Sequence, residues 1–229
     1  MQLSIIIPTL NEEDNICKLL SQLLRIKDDR ICEIIVVDGG STDNTCNLAK
    51  GYPIQLIHVE KKSRAFQMNV AASTAKGDIL YFIHADTRPP ISFVDDISAS
   101  VAKGYQIGSY SFKLDSTDPR LHLLSFLTKI NMLISRGGDQ TLFITREFFD
   151  QLDGYDEEFV IMEDFDIIRR ARKLVKFKIL DKSVLVSARK YEDNSYSKVQ
   201  RANLTAFLMF YFGSSPHKIK EMYHRRLTL

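Results

Sequence analysis

Short apolar runs, each closed off by polar, glycine or proline residues, dominate the first third of the chain. Ile79 to Ile83 stands between Gly77-Asp78 and Pro89-Pro90, the signature of a strand buried on both faces. Leu3 to Ile7, Ile34 to Val37 and Ile54 to Val59 read the same way. Between them, apolar spacings of three and four predict helices: Glu12 to Arg25, through Ile16, Leu19, Leu20, Leu23 and Leu24, then Asp43 to Lys50 and Ala65 to Ala75. Such alternation with short connections predicts an α/β fold with a parallel sheet and crossover helices. Right-handed crossovers then line up the strand ends on one edge, where ligands of open α/β sheets bind.

The second half is less regular. Gln106 to Leu114 alternates like a strand, Leu121 to Ile134 is apolar enough for a helix, and Gln140 to Ile144 suggests a short strand. Glu163 to Val175 is helical by Ile167, Ile168, Ala171 and Leu174, and Val184 to Ser187 could return to the sheet. No repeat or linker divides the chain. The reading is one domain over residues 1–229, with a nucleotide-type half (1–90) and a half (91–229) that supplies the second substrate's surface and C-terminal helices.

Composition narrows the function. A chain of 229 residues with 45% hydrophobic content can bury a sizeable core. A formal charge of +2, without a basic block, argues against nucleic acid. Cys17, Cys32 and Cys46 have no C-x-x-C spacing, so neither a disulfide framework nor a structural zinc site is suggested; a reducing, cytoplasmic setting fits. The start lacks the pattern of a signal peptide, and the apolar run Ala206 to Phe212 is far short of the ~20 residues of a spanning helix.

Two of the predicted strands end in acids. Ile34 to Val37 runs into Asp38-Gly39-Gly40-Ser41, and Ile79 to Ile83 runs into His84-Ala85-Asp86. A carboxylate at a strand's end needs water, a cation or donors. His84 and Asp86, one residue apart, would share a face in extended backbone and could hold Mg²⁺ or Mn²⁺ against a diphosphate. After the first strand come Asn11, a candidate helix cap, and Glu12-Glu13, which suit a first turn. The G-x-G-x-x-G of a dinucleotide site is absent there. Arg64, Gln67 and Asn69 open a helix whose polar residues could face the same rim, and the fork of Arg64 suits a phosphate. Glu163-Asp164 sits at a helix start, where acids stabilise the dipole by ~0.3–1 kcal/mol; an ionised aspartate there could also serve as general base.

Taken together, Ile5 to Glu13, Ile35 to Asp43, Arg64 to Asn69, His84-Ala85-Asp86 and Glu163-Asp164 resemble, in order and spacing, a family 2 glycosyltransferase of GT-A fold. The chain is most similar to a compact bacterial subset with His-Ala-Asp and Gly-Asp-Gln, associated with radical-SAM and selenodomain proteins. The resemblance implies a Rossmann-like, mostly parallel sheet and inverting transfer of one sugar from a nucleoside-diphosphate sugar, a UDP-sugar foremost, to an acceptor hydroxyl. It places Pro8, Leu10, Glu12, Asp38, Arg64 and Ala85 at the nucleotide, and Asp86 with His84 at a divalent cation, Mn²⁺ or Mg²⁺. Asp164 would be the catalytic base, with Gly138, Asp139, Gln140 and Glu163 on the acceptor side. The usual Asp-x-Asp has His84 at its first position here, which leaves the metal's identity open. No Gln-x-x-Arg-Trp of polymer synthases is present. A lipid-linked acceptor and a peripheral contact with the inner membrane face are expectations drawn from the C-terminal apolar run and the basic residues after it. A nucleotidyltransferase and a non-catalytic nucleotide-sugar-binding module are the competing readings.

Overall fold

The computed structural model describes residues 1–135 and 140–228. Its strands β1 (Leu3–Thr9), β2 (Ile31–Asp38), β3 (Gln55–His58), β4 (Ile79–Phe82), β5 (Thr87–Arg88), β6 (Ile107–Asp115), β7 (Leu142–Thr145) and β8 (Lys178–Ser187) form one sheet in the order β3-β2-β1-β4-β7-β6-β8-β5. The β3-β2-β1-β4 block is parallel, as are β6 and β8, while β7 and β5 run antiparallel to their neighbours. This is a Rossmann-like, mostly parallel α/β sheet flanked by helices.

Burial explains the central block. Every residue of β1 is buried, and its side chains alternate by the two-residue period of a strand. Ile5 and Ile7 join the cluster that includes Ile16, Leu19 and Leu20 of helix α1 (Glu13–Leu24), whereas Ile6 joins the cluster on the other face, with Met68 and Ala71 of α3 (Arg64–Thr74). Helix α2 (Thr45–Ala49) and α4 (Phe93–Ala102) lie on the first face, and α6 (Arg146–Gln151) and α7 (Glu163–Ala171) on the second. The guanidinium of Arg146 donates to the carbonyls of Gly77, Ala72 and Ala75 at 3.0, 3.0 and 2.6 Å, satisfying orphan carbonyls at the end of α3 and complementing its dipole.

Several elements differ from the sequence expectations. The helix expected over Leu121 to Ile134 stops early, as α5 (Pro119–Leu127). Its side of the chain is tied to β6: Phe112 N–H donates to Thr128 Oγ1 (3.2 Å) and Leu114 N–H to Ser125 Oγ (3.3 Å). Thr128 Oγ1 also bonds back to the Ser125 carbonyl (2.6 Å), the local competition that weakens a helix. The last strand, expected from Val184, begins at Lys178, because the polar Asp181-Lys182-Ser183 masks a β8 that pairs with β6 across an irregularity between Tyr110 and Ser111. The pattern gave no sign of the two-residue β5 or of α4 and α6. Asn11 does not cap α1; it sits at φ 55°, and its side-chain oxygen accepts from Thr42 N–H at 2.8 Å.

The apolar run Ala206 to Phe212 belongs to α8 (Tyr196–Tyr211), which pairs with α9 (Pro216–Arg226). Ala206 and Phe210 are buried against Ile219, Met222 and Tyr223. Leu204, Leu208, Tyr211 and Phe212 are exposed, the last at 78%.

Gly108 shows how tightly the sheet is closed. A methyl group there would lie 2.5 Å from the Lys178 carbonyl oxygen and 2.6 Å from the Phe143 ring, whereas one at Gly51 would meet only Leu48 O at 3.4 Å. Gly108→Ala is therefore expected to lower the free energy of unfolding by ~1–3 kcal/mol, the usual cost of overpacking, and Gly51→Ala by much less. Urea denaturation of both variants checks this, and equal effects would refute the packing argument.

Candidate active site

The carboxyl ends of β1, β2 and β4 share one edge because these strands are parallel. Asp38 ends β2, opposite Thr9 in β1 and His58 in β3. Its carboxylate is 1% exposed and heavily hydrogen-bonded. Oδ2 accepts from Gly40 N–H (3.0 Å) and Ser41 N–H (2.9 Å), and Oδ1 accepts from Ser41 Oγ (2.5 Å). Burial opposes ionisation, but the hydrogen bonds from Ser41, Cys46 and Gly40 outweigh it and hold the pKa below the ordinary carboxylate value. Gly40 makes the turn possible at φ 85°. Burial, followed by the hydrogen bond to Asp38, pushes the neighbouring Cys46 thiol up to about 11.

Gln67 does not face the rim. It is buried, and its Nε2 donates to Thr9 O (2.8 Å) and Val37 O (2.7 Å). The amide thus straps the ends of β1 and β2 together under Gly39, where a methyl group would lie 3.0 Å from Nε2.

After β4 the chain turns rather than staying extended: Thr87 N–H donates to His84 O at 3.0 Å. The alternation that would put His84 and Asp86 on one face therefore does not apply, although both remain partly exposed at the strand's end. Arg88 fixes this turn. Its guanidinium donates to Ala85 O (2.8 Å), Thr87 O (3.1 Å) and Asn15 O (3.3 Å). Burial lowers its pKa against the opposing charges of Asp86 and Glu12. Arg189, just beyond β8, reaches the same place and donates to Glu12 Oε1 at 2.5 Å. Burial disfavours its charge, but Glu12 and then Asp86 more than compensate and raise its pKa. The backbone adds a further tie, since Ser187 N–H donates to Asp86 O at 3.2 Å.

Helix α7 delivers Glu163 and Asp164, both buried. Arg64, at the start of α3, lies 3.9 Å from Glu163 Oε1, and its charge also acts on Arg189. Tyr155 Oη donates to Asp164 Oδ1 at 3.4 Å, and burial, reinforced by Asp164 and Glu163, raises the phenol's pKa well above its usual value. The loop leading into α7 is held by its backbone: Asn69 Nδ2 donates to Tyr155 O (2.8 Å) and Asn69 Oδ1 accepts from Tyr155 N–H (2.9 Å). Asn69 is thus a clamp rather than a rim residue. Arg170 grips the same loop at Leu152 O and Gly154 O and pairs with Asp166.

Glu12, Arg64, Asp86 and Glu163 thus belong to one network of charge, with Asp38 at the end of the adjacent strand. Pro8 and Ala85 are buried beside it, while Leu10 is exposed at the edge. Gln140 is buried, and its Nε2 donates to Ser135 O. Thr141 beside it holds φ 62°, which is costly for a β-branched residue. Gly138 and Asp139 lie outside the described residues. Sequence reasoning missed Arg88, Arg189 and Tyr155. Of these, Arg189 carries a legible signal as a cation just past the strand-like run Val184 to Ser187, although its partner does not.

Residues 4–171 match the family model described as Glycosyl transferase family 2. Among curated proteins, dolichol-phosphate mannosyltransferase of Pyrococcus furiosus is 29% identical over 47% of this chain and 32% of its own length. Glucosyl-3-phosphoglycerate synthase of Mycolicibacterium paratuberculosis is 31% identical over 38% of this chain and 29% of its own. The chain therefore spans about a third of these relatives. Among solved structures, S. aureus TarS in complex with UDP superposes with a TM-score of 0.68 at 19% identity, covering 97% of this chain and 70% of that one. Glucosyl-3-phosphoglycerate synthase from Mycobacterium tuberculosis, in complex with Mn²⁺, UDP and glucosyl-3-phosphoglycerate, gives 0.62 at 19% identity, covering 93% and 80%. These likenesses establish the GT-A fold.

The Asp38 environment makes a pH prediction. Because its folded pKa is lowered, the ionised group contributes stability fully above the unfolded value of ~3.9, and that contribution is lost as pH falls through the lower folded value. Asp38→Asn cannot titrate, so its deficit in stability relative to wild type is expected to shrink below about pH 4. Urea unfolding of both proteins across the acid range measures the gap; a gap independent of pH contradicts the assignment.

Proposed function

We propose a reaction from one premise: the chain belongs to glycosyl transferase family 2. The reaction is transfer of a single sugar from a nucleoside-diphosphate sugar, a UDP-sugar foremost, to an acceptor hydroxyl with inversion at the anomeric carbon. One observation carries this reading, the charge network in which Glu12, Arg64, Asp86, Glu163 and Arg189 meet at the ends of the parallel strands. UDP and Mn²⁺ complexes of proteins with the same fold support it.

Asp38, with Pro8, Leu10 and Glu12, would take the base and ribose, and Arg64 and Ala85 would lie along the nucleotide. The turn after β4 fits a hard divalent cation: Asp86 offers carboxylate oxygen, His84 offers imidazole, and both are partly exposed. Bound there, the cation would neutralise charge on the leaving diphosphate. Arg64 and Arg189 are fixed positive groups at the same edge and would stabilise that developing charge. Asp164, aligned by Tyr155, would take the acceptor's proton as its oxygen bonds to the anomeric carbon. The bond from that carbon to the diphosphate breaks, and its electron pair leaves with the nucleotide. Glu163 and the segment from Gly138 through Asp139 to Gln140 would border the acceptor. All of this is read as the work of one domain.

The acceptor would be met at a surface that suits lipid. Among the described residues, no helix is long and apolar enough to cross a membrane. Exposed Leu204, Leu208, Tyr211 and Phe212 on α8 and after it are followed by Lys218, His224, Arg225 and Arg226 on α9, all exposed, and no acid falls between Asp193 and Glu221. Helix α5 and the segment after it expose Leu123, Phe126, Ile130 and Met132, again without an acid from Pro119 to Ser135. The guanidinium of Arg120 over the Tyr196 ring, 5.3 Å away, brings the starts of α5 and α8 together. Apolar side chains among basic ones fit an anionic lipid surface, and a lipid-linked acceptor would be met there.

The chemistry is tested by measuring UDP-sugar binding and transfer in parallel. Asp164→Asn is expected to leave donor affinity nearly intact while transfer falls by roughly 10²–10⁴, and Asp86→Asn to lose the cation-dependent part of donor binding. Failure of all nucleotide sugars to raise the melting temperature, with Mn²⁺ or Mg²⁺ present, would sink the proposal; normal turnover in Asp164→Asn would remove that residue from it.

The lipid surface is tested by sedimentation with vesicles. Binding to anionic vesicles at low salt, reversed by added salt and absent with neutral ones, is the expected result. Equal recovery in the supernatant with and without anionic vesicles rules the contact out.

A further inference from the structure

Beside the Asp38 carboxylate the structure gathers two further metal-ligating side chains. The parallel pairing of β2 and β3 sets His58 opposite Asp38, and the first turn of α2 places Cys46 above both. His58 Nδ1 lies 3.8 Å from Asp38 Oδ2 and 3.9 Å from Cys46 Sγ. One ligand atom from each of the three falls within 4.8 Å of the others. A tetrahedral Zn²⁺, with Zn–S of ~2.3 Å and Zn–N or Zn–O of ~2.0–2.2 Å, holds its ligand atoms about 3.4–3.6 Å apart. The two separations from His58 Nδ1 exceed that by only a few tenths of an ångström, within reach of small side-chain rotations. Asp38 is anchored by the Ser41 and Gly40 hydrogen bonds, whereas His58 is largely exposed and Cys46 partly so. The group is therefore rigid on one side and open to solvent on the other.

We propose that Asp38, Cys46 and His58 form a Zn²⁺-binding site with an open fourth position, and that Zn²⁺ held there competes with the nucleotide base. The ligand set separates this site from the turn after β4. Thiolate and imidazole select a borderline-soft ion such as Zn²⁺, while Mg²⁺ and Mn²⁺ prefer oxygen. A hydrogen bond from the Cys46 thiol to Asp38 already joins two of the three ligands, and the ion would replace its proton. On binding, the thiol proton is released to solvent, the sulfur becomes a ligand, and the carboxylate lone pair it occupied is freed for the metal. The charges nearest the thiol are Asp38 and Asp43, which favour a cation, and Lys50, which opposes it. The competition half of the proposal rests on Asp38 as the base-binding acid; the metal site itself does not.

Cobalt(II) reports the site directly, because a thiolate ligand gives a charge-transfer band that oxygen and nitrogen ligands do not. The reduced protein is expected to develop that band on titration with Co²⁺, to lose it when Zn²⁺ is added, and to keep it in excess Mg²⁺. Cys46→Ser should abolish the band, and His58→Gln should weaken metal affinity by at least about 10–100-fold, the range known for outer-shell partners alone. Absence of the band in wild type, or a band that survives in Cys46→Ser and so comes from Cys17 or Cys32, overturns the site. For competition, UDP affinity is measured with and without Zn²⁺. Zn²⁺ should weaken UDP binding to wild type and leave Cys46→Ser unaffected, and bound Zn²⁺ that leaves UDP affinity unchanged overturns that half. Failure of UDP to bind the Zn²⁺-free protein with Mn²⁺ or Mg²⁺ present would instead refute the nucleotide-site reading, with the cobalt result standing on its own.

Discussion

Strand β1 sets the terms for everything else. It is hydrogen-bonded in parallel to β2 on one side and β4 on the other, and all seven of its residues are buried. Charge cannot be accommodated inside such a layer without compensation. The chemistry of the first half is therefore displaced to the positions where the three strands run out together. Parallel pairing makes those positions adjacent, and the Gln67 amide between Thr9 O and Val37 O keeps two of them from splaying apart.

The edge so created is held mainly by arginines. Arg88 ties down the turn after β4, Arg189 joins β8 to Glu12, and Arg170 and Asp166 fix the loop before α7. A guanidinium suits this work because its planar set of donors can satisfy several backbone carbonyls at once while its charge offsets nearby acids. Carboxylates gathered at this edge can then sit close together without the repulsion that would otherwise drive one of them neutral. The same residues thus serve both the architecture of the loops and the field that a diphosphate would meet.

The sequence was most legible where one residue's environment depends only on its own strand. Ile34 to Val37 running into Asp38 and Ile79 to Ile83 running into His84-Ala85-Asp86 could be read as buried runs ending in polar groups, and the parallel pairing of the first four strands followed from their alternation with helices. Interactions spanning long separations were not legible. Nothing local marks Arg189 as a partner of Glu12, or Asn69 as a clamp on Tyr155, and Gln67 looked like a surface residue because a buried amide has the same letter as an exposed one. Cys46 and His58 lack any conventional metal spacing; the register of β2 with β3 brings His58 to Asp38, and the first turn of α2 brings Cys46. The second half was harder to parse because β8 carries polar residues in mid-strand and α5 is ended by hydroxyls that bond to β6.

The way Asn69 holds the loop between α6 and α7 bears on how such a protein diversifies. The amide grips the peptide groups of Tyr155 rather than its ring, so the path of the main chain does not depend on which aromatic side chain stands at that position. Glu157, which accepts from Asn69 Nδ2 (3.2 Å) and pairs with Lys61 (2.8 Å), and Asp156, which accepts from Glu158 N–H (3.0 Å), are part of that hold, whereas the exposed Glu158 side chain can be exchanged with little change in the course of the loop toward α7. Sequence drift at such an exposed position would alter the surface of the loop while its main-chain course stays in place, so divergence there need not come at the expense of folding.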